Sequence, residues 1–501
     1  MKFVSTLVIV IILSFQAQAT TDFCSDPKLG SLPILSDGRI KPLVSHAGEL
    51  RKKVFSQTCG LPPVELFCRL STGEVENFQR QSKCQITFKV DHEKAMKLLG
   101  VATHEVSWEI VEKNNFALTE EYKNEEMQGR KDGGYALTLA RLMTSLSTFK
   151  EIVSGQNWKI LVENNKWVGL DQIPIEQREK VIQEQNQYLG KDDQKRIDYE
   201  IIFQKTNPFS HGIWIGIIVF LISLAAVRMS SAFKVAIGSG VVFLVVQIYG
   251  IILRVLISGR SPVTNMYETV MWVGLGVLGL GLLMGVTKKD AKLLSIAVGA
   301  NVIALFMMKF ATTMLDESIR PLVPVLRDNF WLSTHVTTIT LSYACFALSW
   351  VLSNVGLFGV LFGRIQKQNI ERMNDAIRMG MQVGSVLLAA GIILGGVWAD
   401  YSWGRFWGWD PKETWSLIAL MVYMMILHGR YAGWFKGFTF TILGAAGFMF
   451  VLMAWFGVNY ILASGLHSYG FSSGGAAFLL TIFLSQICII AASAIRGRHL
   501  V

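Results

Sequence analysis

The sequence predicts a polytopic α-helical membrane protein with an exported N-terminal soluble domain of α/β or α+β structure. Of the 501 residues, 51% are hydrophobic and 17% are charged, which is typical of chains with many transmembrane helices. The long apolar runs all follow residue 208. The formal net charge of +10 is what basic cytoplasmic loops produce, so nucleic-acid binding is not indicated.

The first 19 residues have the features of a secretory signal peptide. A Met-Lys start precedes an apolar run over 3–15 and the sequence Ala17-Gln18-Ala19, which together predict cleavage after Ala19. Residues 20–208, which contain no long apolar run, are then an exported soluble domain. In a bacterium this domain is expected in the periplasm.

The exported domain offers a few local predictions. Residues 32–50 read as strand, Asp37-Gly38 turn, strand and helix, whereas 134–154 and 175–203 read as helical. Four of the six cysteines fall here, at Cys24, Cys59, Cys68 and Cys84, and exported cysteines are expected to pair. Four cysteines allow three pairings, among which the sequence does not choose.

The region 209–501 is the predicted transmembrane domain. A span needs about 20 apolar residues, and nine segments are long enough, at about 212–229, 233–254, 266–286, 291–310, 334–362, 378–398, 414–429, 437–456 and 475–495. One alternate set of connecting loops holds most of the Lys and Arg residues. The positive-inside rule places that set in the cytoplasm, which agrees with the orientation that the signal peptide predicts. Cys345 and Cys488 lie in apolar helices, where cysteine packs as a small hydrophobic residue.

The segment 398–415, WADYSWGRFWGWDPKETW, contains five of the fourteen tryptophans. Membrane-interface belts place one or two Trp at a helix end, so this density favours a platform for a large flat apolar ring such as a porphyrin. The predicted topology puts the platform on the exported side. Its Trp residues are Trp398, Trp403, Trp407, Trp409 and Trp415.

Three histidines are candidate ligands of haem iron. His335 opens the fifth predicted span, and His467 lies in the last exported loop, so both share the side of the Trp segment. A neutral imidazole is a good axial ligand, and two of them beside an aromatic floor favour ligation over a purely structural role. His428 lies at the cytoplasmic end of the seventh span, where ligation and simple interfacial placement are equally supported.

Asp410 heads the sequence Asp-Pro-Lys-Glu, which is the pattern of a helix capping box. We therefore expect Asp410 to cap the seventh span rather than to act as a catalytic acid. Arg405, Arg260 and Arg327 are candidate partners for haem propionates.

These motifs together resemble a known family. WGRFWGWDPKETWSL at 403–417, SYACF at 342–346, GLHSYG at 465–470, GRSPVTNMYETVMW at 259–272 and LHGR at 427–430 resemble the WWD-domain haem-handling proteins. They are most similar to the CcsA (ResC) type of System II cytochrome c biogenesis. The resemblance covers about residues 255–501, with a weaker match at GRIKPL, residues 38–43.

The resemblance implies a function in the bacterial inner membrane. Haem b, as substrate and ligand, would be relayed outward and held at the WWD surface by His335 and His467. Its vinyl groups would then be joined to the thiols of a C-x-x-C-H motif in apocytochrome c, which thioredoxin-like reductants keep reduced. His428 would bind a transmembrane haem together with a ligand from a separate ResB-like partner. No catalytic residue of this chain is implied, because the acceptor supplies the thiols.

Three other readings remain open from sequence. A CcmC- or CcmF-type protein would deliver haem to or from a chaperone. A haem exporter would perform no thioether chemistry and would leave the same sequence signature. A respiratory b-type cytochrome would place paired His at mid-span, whereas most histidines here fall at span ends.

Overall fold

The computed structural model describes residues 23–57, 60–72, 85–129, 134–312, 314–322, 328–462 and 475–498. Two compact units divide the chain. The first contains the residues up to Ser36 and Ile40–Gly190, and the second contains Asp37–Arg39 and Lys191–Val501. The predicted signal peptide, residues 1–19, lies outside the described residues.

The first unit combines helices with three two-stranded sheets. The described strands are β1 (Pro33–Ser36), β2 (Arg39–Pro42), β3 (Thr87–Lys89), β4 (Glu105–Ser107), β5 (Lys159–Val162) and β6 (Lys166–Gly169). The described helices are α1 (Leu43–Lys53), α2 (Pro63–Ser71), α3 (Glu93–Leu99), α4 (Trp108–Lys113), α5 (Asn115–Met127), α6 (Gly134–Ser154) and α7 (Ile175–Glu184).

Several local predictions for the N-terminal part of the chain are confirmed. The strand, turn, strand and helix expected over 32–50 are β1, β2 and α1, and both turn residues have positive φ, 51° at Asp37 and 77° at Gly38. Such a two-residue turn favours Asp-Gly because both positions need left-handed backbone. The helix expected over 134–154 is α6. Cys24 pairs with Cys68, whereas Cys59 and Cys84 lie outside the described residues.

The second unit is a bundle of long helices. They are α8 (Lys191–Thr206), α9 (Pro208–Arg228), α10 (Phe233–Ser258), α11 (Met266–Thr287), α12 (Ala291–Phe310), α13 (Asn329–Leu361), α14 (Lys367–Trp403), α15 (Pro411–Tyr431), α16 (Gly437–Leu462) and α17 (Gly475–Arg496). Large apolar side chains point outward along α10 and α14, as they do in helices that face lipid. The chain is a multi-pass membrane protein.

Eight helices in the described residues, with α8 and α9 taken together, are long and apolar enough to cross a membrane. The sequence predicts nine, and the difference is the segment 414–429. That segment forms α15, which at 21 residues is about 31 Å long. Charged and polar residues occupy both of its ends, Lys412 and Glu413 at the start and His428 and Arg430 at the finish. Its uninterrupted apolar part is therefore shorter than a full span.

Helices α13 and α14 approach closely along a line of glycines. A Cβ atom at Gly384 would lie 2.7 Å from a ring carbon of Phe346, and one at Gly391 would lie 2.5 Å from Ile339. Residues without a side chain let membrane helices make this kind of contact. Gly384 and Gly391 thus serve helix packing.

Candidate functional site

A pocket opens where the ends of five helices, α11 and α13 to α16, come together in the second unit. Its cavity volume is about 170 Å3. Most of its surface is apolar. The lining side chains include Val263, Met266, Leu332, Val336, Ile339, Ile392, Trp398, Phe406, Trp407 and Trp455, with polar Thr264, Asn265, Thr269, His335, Tyr343, Lys412, Glu413, Ser416 and Asn459.

His335 lines this pocket from the first turns of α13. Its Nδ1 lies 2.8 Å from the carbonyl oxygen of Gly391 on α14. Because a carbonyl oxygen only accepts, Nδ1 of the neutral ring donates and the lone pair belongs to Nε2. Metal-ligating histidines are commonly held in this way, by a hydrogen bond from the ring nitrogen that does not bind metal. The residues therefore fit a haem ligand at this position.

The backbone around His335 is shaped to admit the imidazole. A Cβ atom on Gly395 would lie 2.6 Å from Cε1 of His335, so only glycine lets the ring lie against α14. His335 also belongs to a π-helical turn, Leu332–Val336. A second π-helical segment, Met453–Leu462, contributes Trp455 and Asn459 to the pocket. Such wide turns are frequent at functional sites.

The structure separates the five Trp of the segment 398–415. Trp398 and Trp407 line the pocket, and Trp398 packs against His335 with 5.9 Å between ring centroids. Trp403 stacks on Trp398 at 6.5 Å. Trp409 is 69% exposed, and Trp415, on α15, is half-buried and outside the pocket lining. Two of the five tryptophans thus line the pocket, and Trp455 of α16 is a third lining tryptophan from outside this segment.

The capping box predicted at Asp410 is confirmed. Asp410 is buried, its carboxylate accepts from the backbone N–H of Lys412 at 2.8 Å, and it lies outside the pocket lining. Glu413 completes the box by accepting from the backbone N–H groups of Gly408 and Asp410, at 2.8 and 3.1 Å. Trp409 between them has a φ of 55°, a left-handed conformation that costs about 1–3 kcal/mol in a non-glycine residue. The bonds to Glu413 hold the loop in this strained conformation.

A buried charge cluster supports another wall of the pocket, the connection from α10 to α11. Glu268 accepts from the backbone N–H and the hydroxyl of Thr264, both at 2.9 Å. The same carboxylate pairs with Arg254 at 2.9 Å and with Arg260 at 3.3 Å. Removal of one partner from such a buried network costs about 3–5 kcal/mol. The cluster accounts for Arg260, Thr264 and Glu268 of the motif GRSPVTNMYETVMW.

The arginines expected to bind propionates do not line the pocket. Arg260 is buried against Glu268 and donates to the carbonyl oxygen of Arg320 at 2.9 Å. Arg405 is exposed, with its guanidinium against Gly408. Arg327 lies outside the described residues. Lys412 is instead the one lysine or arginine among the described residues that line the pocket.

His428 lies near the other end of α15. Sixteen residues separate it from Lys412, which corresponds to about 24 Å along the helix. Its ring is exposed, and Nδ1 lies 2.7 Å from the carbonyl oxygen of Met424 in the same helix. His428 therefore belongs to a location distinct from the pocket. His467, the proposed second external ligand, lies outside the described residues.

Sequence reasoning missed four residues of this region: Glu268, Lys412, Trp455 and Asn459. The carboxylate of Glu268 had a visible signal, because it stands in an apolar predicted span close to two arginines. Lys412 was hidden within the capping pattern. Trp455 and Asn459 belong to α16, and their placement depends on a π-helical segment that period-3.6 reasoning does not anticipate.

Comparison with known proteins identifies the region around the pocket. Residues 263–467 match the family described as Cytochrome C assembly protein. The cytochrome c biogenesis protein CcsA of Prochlorococcus marinus strain MIT 9301 is 33% identical over 299 residues, which are 52% of this chain and 94% of that protein. CcsA of Guillardia theta is 32% identical over 286 residues, 51% of this chain and 92% of that protein.

A longer relative is also similar. Protein NrfI of Wolinella succinogenes is 31% identical over 294 residues, which are 55% of this chain but 32% of NrfI. The match to the CcsA proteins extends over almost their full length. The chain therefore belongs to the CcsA family of cytochrome c biogenesis proteins.

Proposed function

We propose that the pocket holds haem b for transfer to apocytochrome c, with His335 as one axial ligand of the iron. The observation that carries this proposal is the hydrogen bond from Nδ1 of His335 to Gly391, inside a mostly apolar pocket lined by tryptophan. It leaves Nε2 as the ligating nitrogen. His467 is the proposed second ligand, and the family membership supports haem as the molecule handled.

The proposed reaction is thioether formation with haem as substrate. Each of the two thiols of a C-x-x-C-H motif adds across one vinyl group. The S–H bond and the C=C π bond break, and a C–S bond and a C–H bond form, so no oxidant or reductant is consumed. This chain contributes orientation, by holding the ring so that its vinyl edge meets the peptide. In this sense it is the synthase component of a holocytochrome c lyase.

We further propose that His428 ligates a second haem on its way across the membrane. The imidazole is exposed on α15, and its Nδ1 is fixed by Met424, which leaves Nε2 directed away from its own backbone. Because the ring is on the outside of the bundle, the opposite ligand would come from another polypeptide. A ResB-like membrane partner is the proposed source, and the active unit would be the complex of the two.

The proposed location is the bacterial inner membrane, with the pocket and the first unit on the periplasmic side. The distribution of Lys and Arg among the connecting loops supports this orientation. Apocytochrome c would meet the pocket there, and thioredoxin-like reductants would keep its two thiols reduced. Without free thiols the addition to the vinyl groups does not proceed.

The test is co-expression of the full chain with the ResB-like partner and a c-type apocytochrome, followed by haem staining of the denatured product. Replacement of His335 by Ala should reduce covalent haem attachment by more than about 100-fold, because ligand loss exceeds the 10- to 100-fold cost of losing an outer-shell partner. His104→Ala is the matched control, since His104 is exposed in the first unit. Wild-type attachment in the His335→Ala strain would overturn the proposal.

A further inference from the structure

One segment of the second unit is buried although it has no regular structure. Residues 314–322 lie shortly after α12 and contain neither helix nor strand, yet Met314, Leu315, Ser318 and Ile319 are buried. Carbonyl groups in a buried segment need hydrogen-bond donors, and no ladder supplies them here. The side chains that donate to this segment therefore determine where it lies.

Four side chains donate hydrogen bonds to carbonyl oxygens of this segment. The bonds are 2.7 to 3.1 Å long and run from Tyr460 to Met314, from Arg254 to Glu317, from Arg39 to Ile319 and from Arg260 to Arg320. Arg254 and Arg260 belong to the charge cluster around Glu268. Arg39 instead comes from a distant part of the sequence, 280 residues before Ile319.

Arg39 is itself held by a second partner. Its Nη1 and Nη2 donate to the two carboxylate oxygens of Glu200 on α8, at 2.6 and 2.8 Å, and Glu200 is only 3% exposed. A bidentate pair of this kind fixes the plane of the guanidinium group. Nε of the same group is thereby directed at the carbonyl oxygen of Ile319, at 2.7 Å.

Gly38 brings the turn that carries Arg39 against the same segment. A Cβ atom at Gly38 would lie 3.3 Å from Cγ of Pro321, and the turn Asp37–Arg39 belongs to the second unit. Gly38 and Arg39 begin the motif GRIKPL. Both of these residues thus contact residues 314–322, which gives a role to the start of a motif that the proposed function does not use.

The end of the segment packs on the wall of the pocket. Leu322 contacts a hydrophobic cluster of Val263, Leu332 and Trp398, and all three of these residues line the pocket. Trp398 also packs against the imidazole of His335, with 5.9 Å between ring centroids. A displacement of Leu322 would therefore reach the tryptophan that lies beside the proposed iron ligand.

The bond at Arg39 is close enough to control this contact. Three residues separate Ile319 from Leu322, which corresponds to at most about 11 Å of chain. We infer that Arg39 is a positioning residue for the pocket, because it fixes residues 314–322 and through Leu322 the wall that contains Trp398. This inference rests on the proposed function.

The first test measures access to the segment in the detergent-purified full chain. Ser318 is buried, so a maleimide should label Ser318→Cys slowly. Adding Arg39→Met removes the bonds to Glu200 and Ile319, and labelling of residue 318 should become about tenfold faster, which is the effect of one hydrogen bond to a charged group. Glu200→Gln keeps the shape of that side chain but not its charge, so its effect should be smaller and in the same direction. Mass spectrometry of the labelled peptide measures the rates.

Two controls separate this effect from general unfolding. Cys345 is buried and should stay unlabelled in every variant whose helix bundle is folded. Arg69→Met breaks another partly buried ion pair, with Glu65 in the first unit, and should leave the labelling of residue 318 unchanged. If Arg39→Met exposes Cys345, the milder variant Glu200→Gln decides the outcome.

The second test measures the pocket with iron protoporphyrin IX. Only the Soret change that disappears in His335→Ala is counted as binding there. Arg39→Met should weaken this binding by about 2- to 30-fold, the range of energetic coupling through packed side chains, and Arg69→Met should not change it.

The two tests together distinguish failure of the inference from failure of the proposed function. Unchanged labelling of residue 318 would overturn the inference, and so would faster labelling with unchanged haem binding, while the proposed haem site would stand. If the wild type shows no binding that depends on His335, the proposed function itself fails, and the inference fails with it.

Discussion

The imidazole rings of His335 and His428 are each held by a hydrogen bond at Nδ1, but one ring is enclosed in a pocket and the other is exposed. Nδ1 of His335 forms a hydrogen bond with the carbonyl oxygen of Gly391 at 2.8 Å, and Nδ1 of His428 forms one with the carbonyl oxygen of Met424 at 2.7 Å. The partner of His335 belongs to a neighbouring helix, and the ring lies within a walled pocket. The partner of His428 is one turn back in its own helix, and the ring is exposed.

These two environments indicate how much of each proposed haem site this chain supplies. At the pocket, several helices fix one imidazole and build the walls around it, so a ligand meets a prepared surface. At His428 the described residues supply an oriented imidazole on a helix surface and no enclosing wall. The second location would have to be completed by another protein, whereas the first is largely built by residues of this chain.

Imidazole rescue gives the largest contrast between the two locations. His335→Gly and His428→Gly should each reduce holocytochrome formation by more than about 100-fold. Added imidazole should restore a measurable part of the activity in His335→Gly, because the excised ring leaves a walled cavity. It should restore little in His428→Gly, because this exposed ring leaves no walled cavity among the residues that the structure describes. Haem staining of the reporter cytochrome measures both. Equal rescue at the two positions would contradict the comparison.

Gly395→Ala should give the next largest effect, and only at the pocket. The new methyl group would lie 2.6 Å from Cε1 of His335, so the imidazole must shift. A displacement of about 1 Å can lower the rate of a reaction that depends on exact positioning by about 100-fold. Soret titration of the purified chain and haem staining of the reporter measure the loss.

Gly279→Ala is the control for Gly395→Ala, because a Cβ atom at Gly279 meets nothing within 4 Å. That variant should be neutral or slightly stabilising in its helix. Unchanged haem binding in Gly395→Ala would show that the contact between Gly395 and His335 does not position the ring.

Glu413→Gln should have the smallest effect and should loosen one end of α15. The amide keeps the geometry but loses the charge that accepts from Gly408 and Asp410, at a cost of about 1 kcal/mol. Hydrogen exchange should quicken at residues 404–414 and stay unchanged at 424–431. Glu371→Gln is the matched control, since Glu371 pairs with Arg430 at the opposite end, at 3.3 Å. Faster exchange at both ends in Glu413→Gln would contradict a local role.

Much of the fold could be predicted because single segments carry their own signals. The Asp37-Gly38 turn, the helix over 134–154 and eight apolar spans each follow from local composition and periodicity. The segment 414–429 was less clear, because α15 is long enough to cross a membrane but its charged ends leave a shorter apolar part than the other eight spans have. The pairing of Cys24 with Cys68 likewise depends on tertiary contacts.

The candidate site was predicted less completely. His335 and the capping role of Asp410 could be read from position and spacing. The contribution of each tryptophan could not, because which of them faces the pocket depends on how α13, α14 and α16 meet. The position of Lys412 in the pocket could not be predicted for a related reason. Its sequence pattern is fully explained by a helix start, and only the tertiary structure shows that its side chain lines a pocket.

The π-helical turn at Leu332–Val336 has a consequence for the rotational phase of α13. A wide turn adds one residue to the helical repeat, so the two parts of the helix are offset by about 100° around its axis. Loss of a single residue of the turn other than His335 would restore the regular winding and rotate the imidazole of His335 away from α14. The direction of that ring thus depends on the number of residues in the turn as well as on the identity of residue 335.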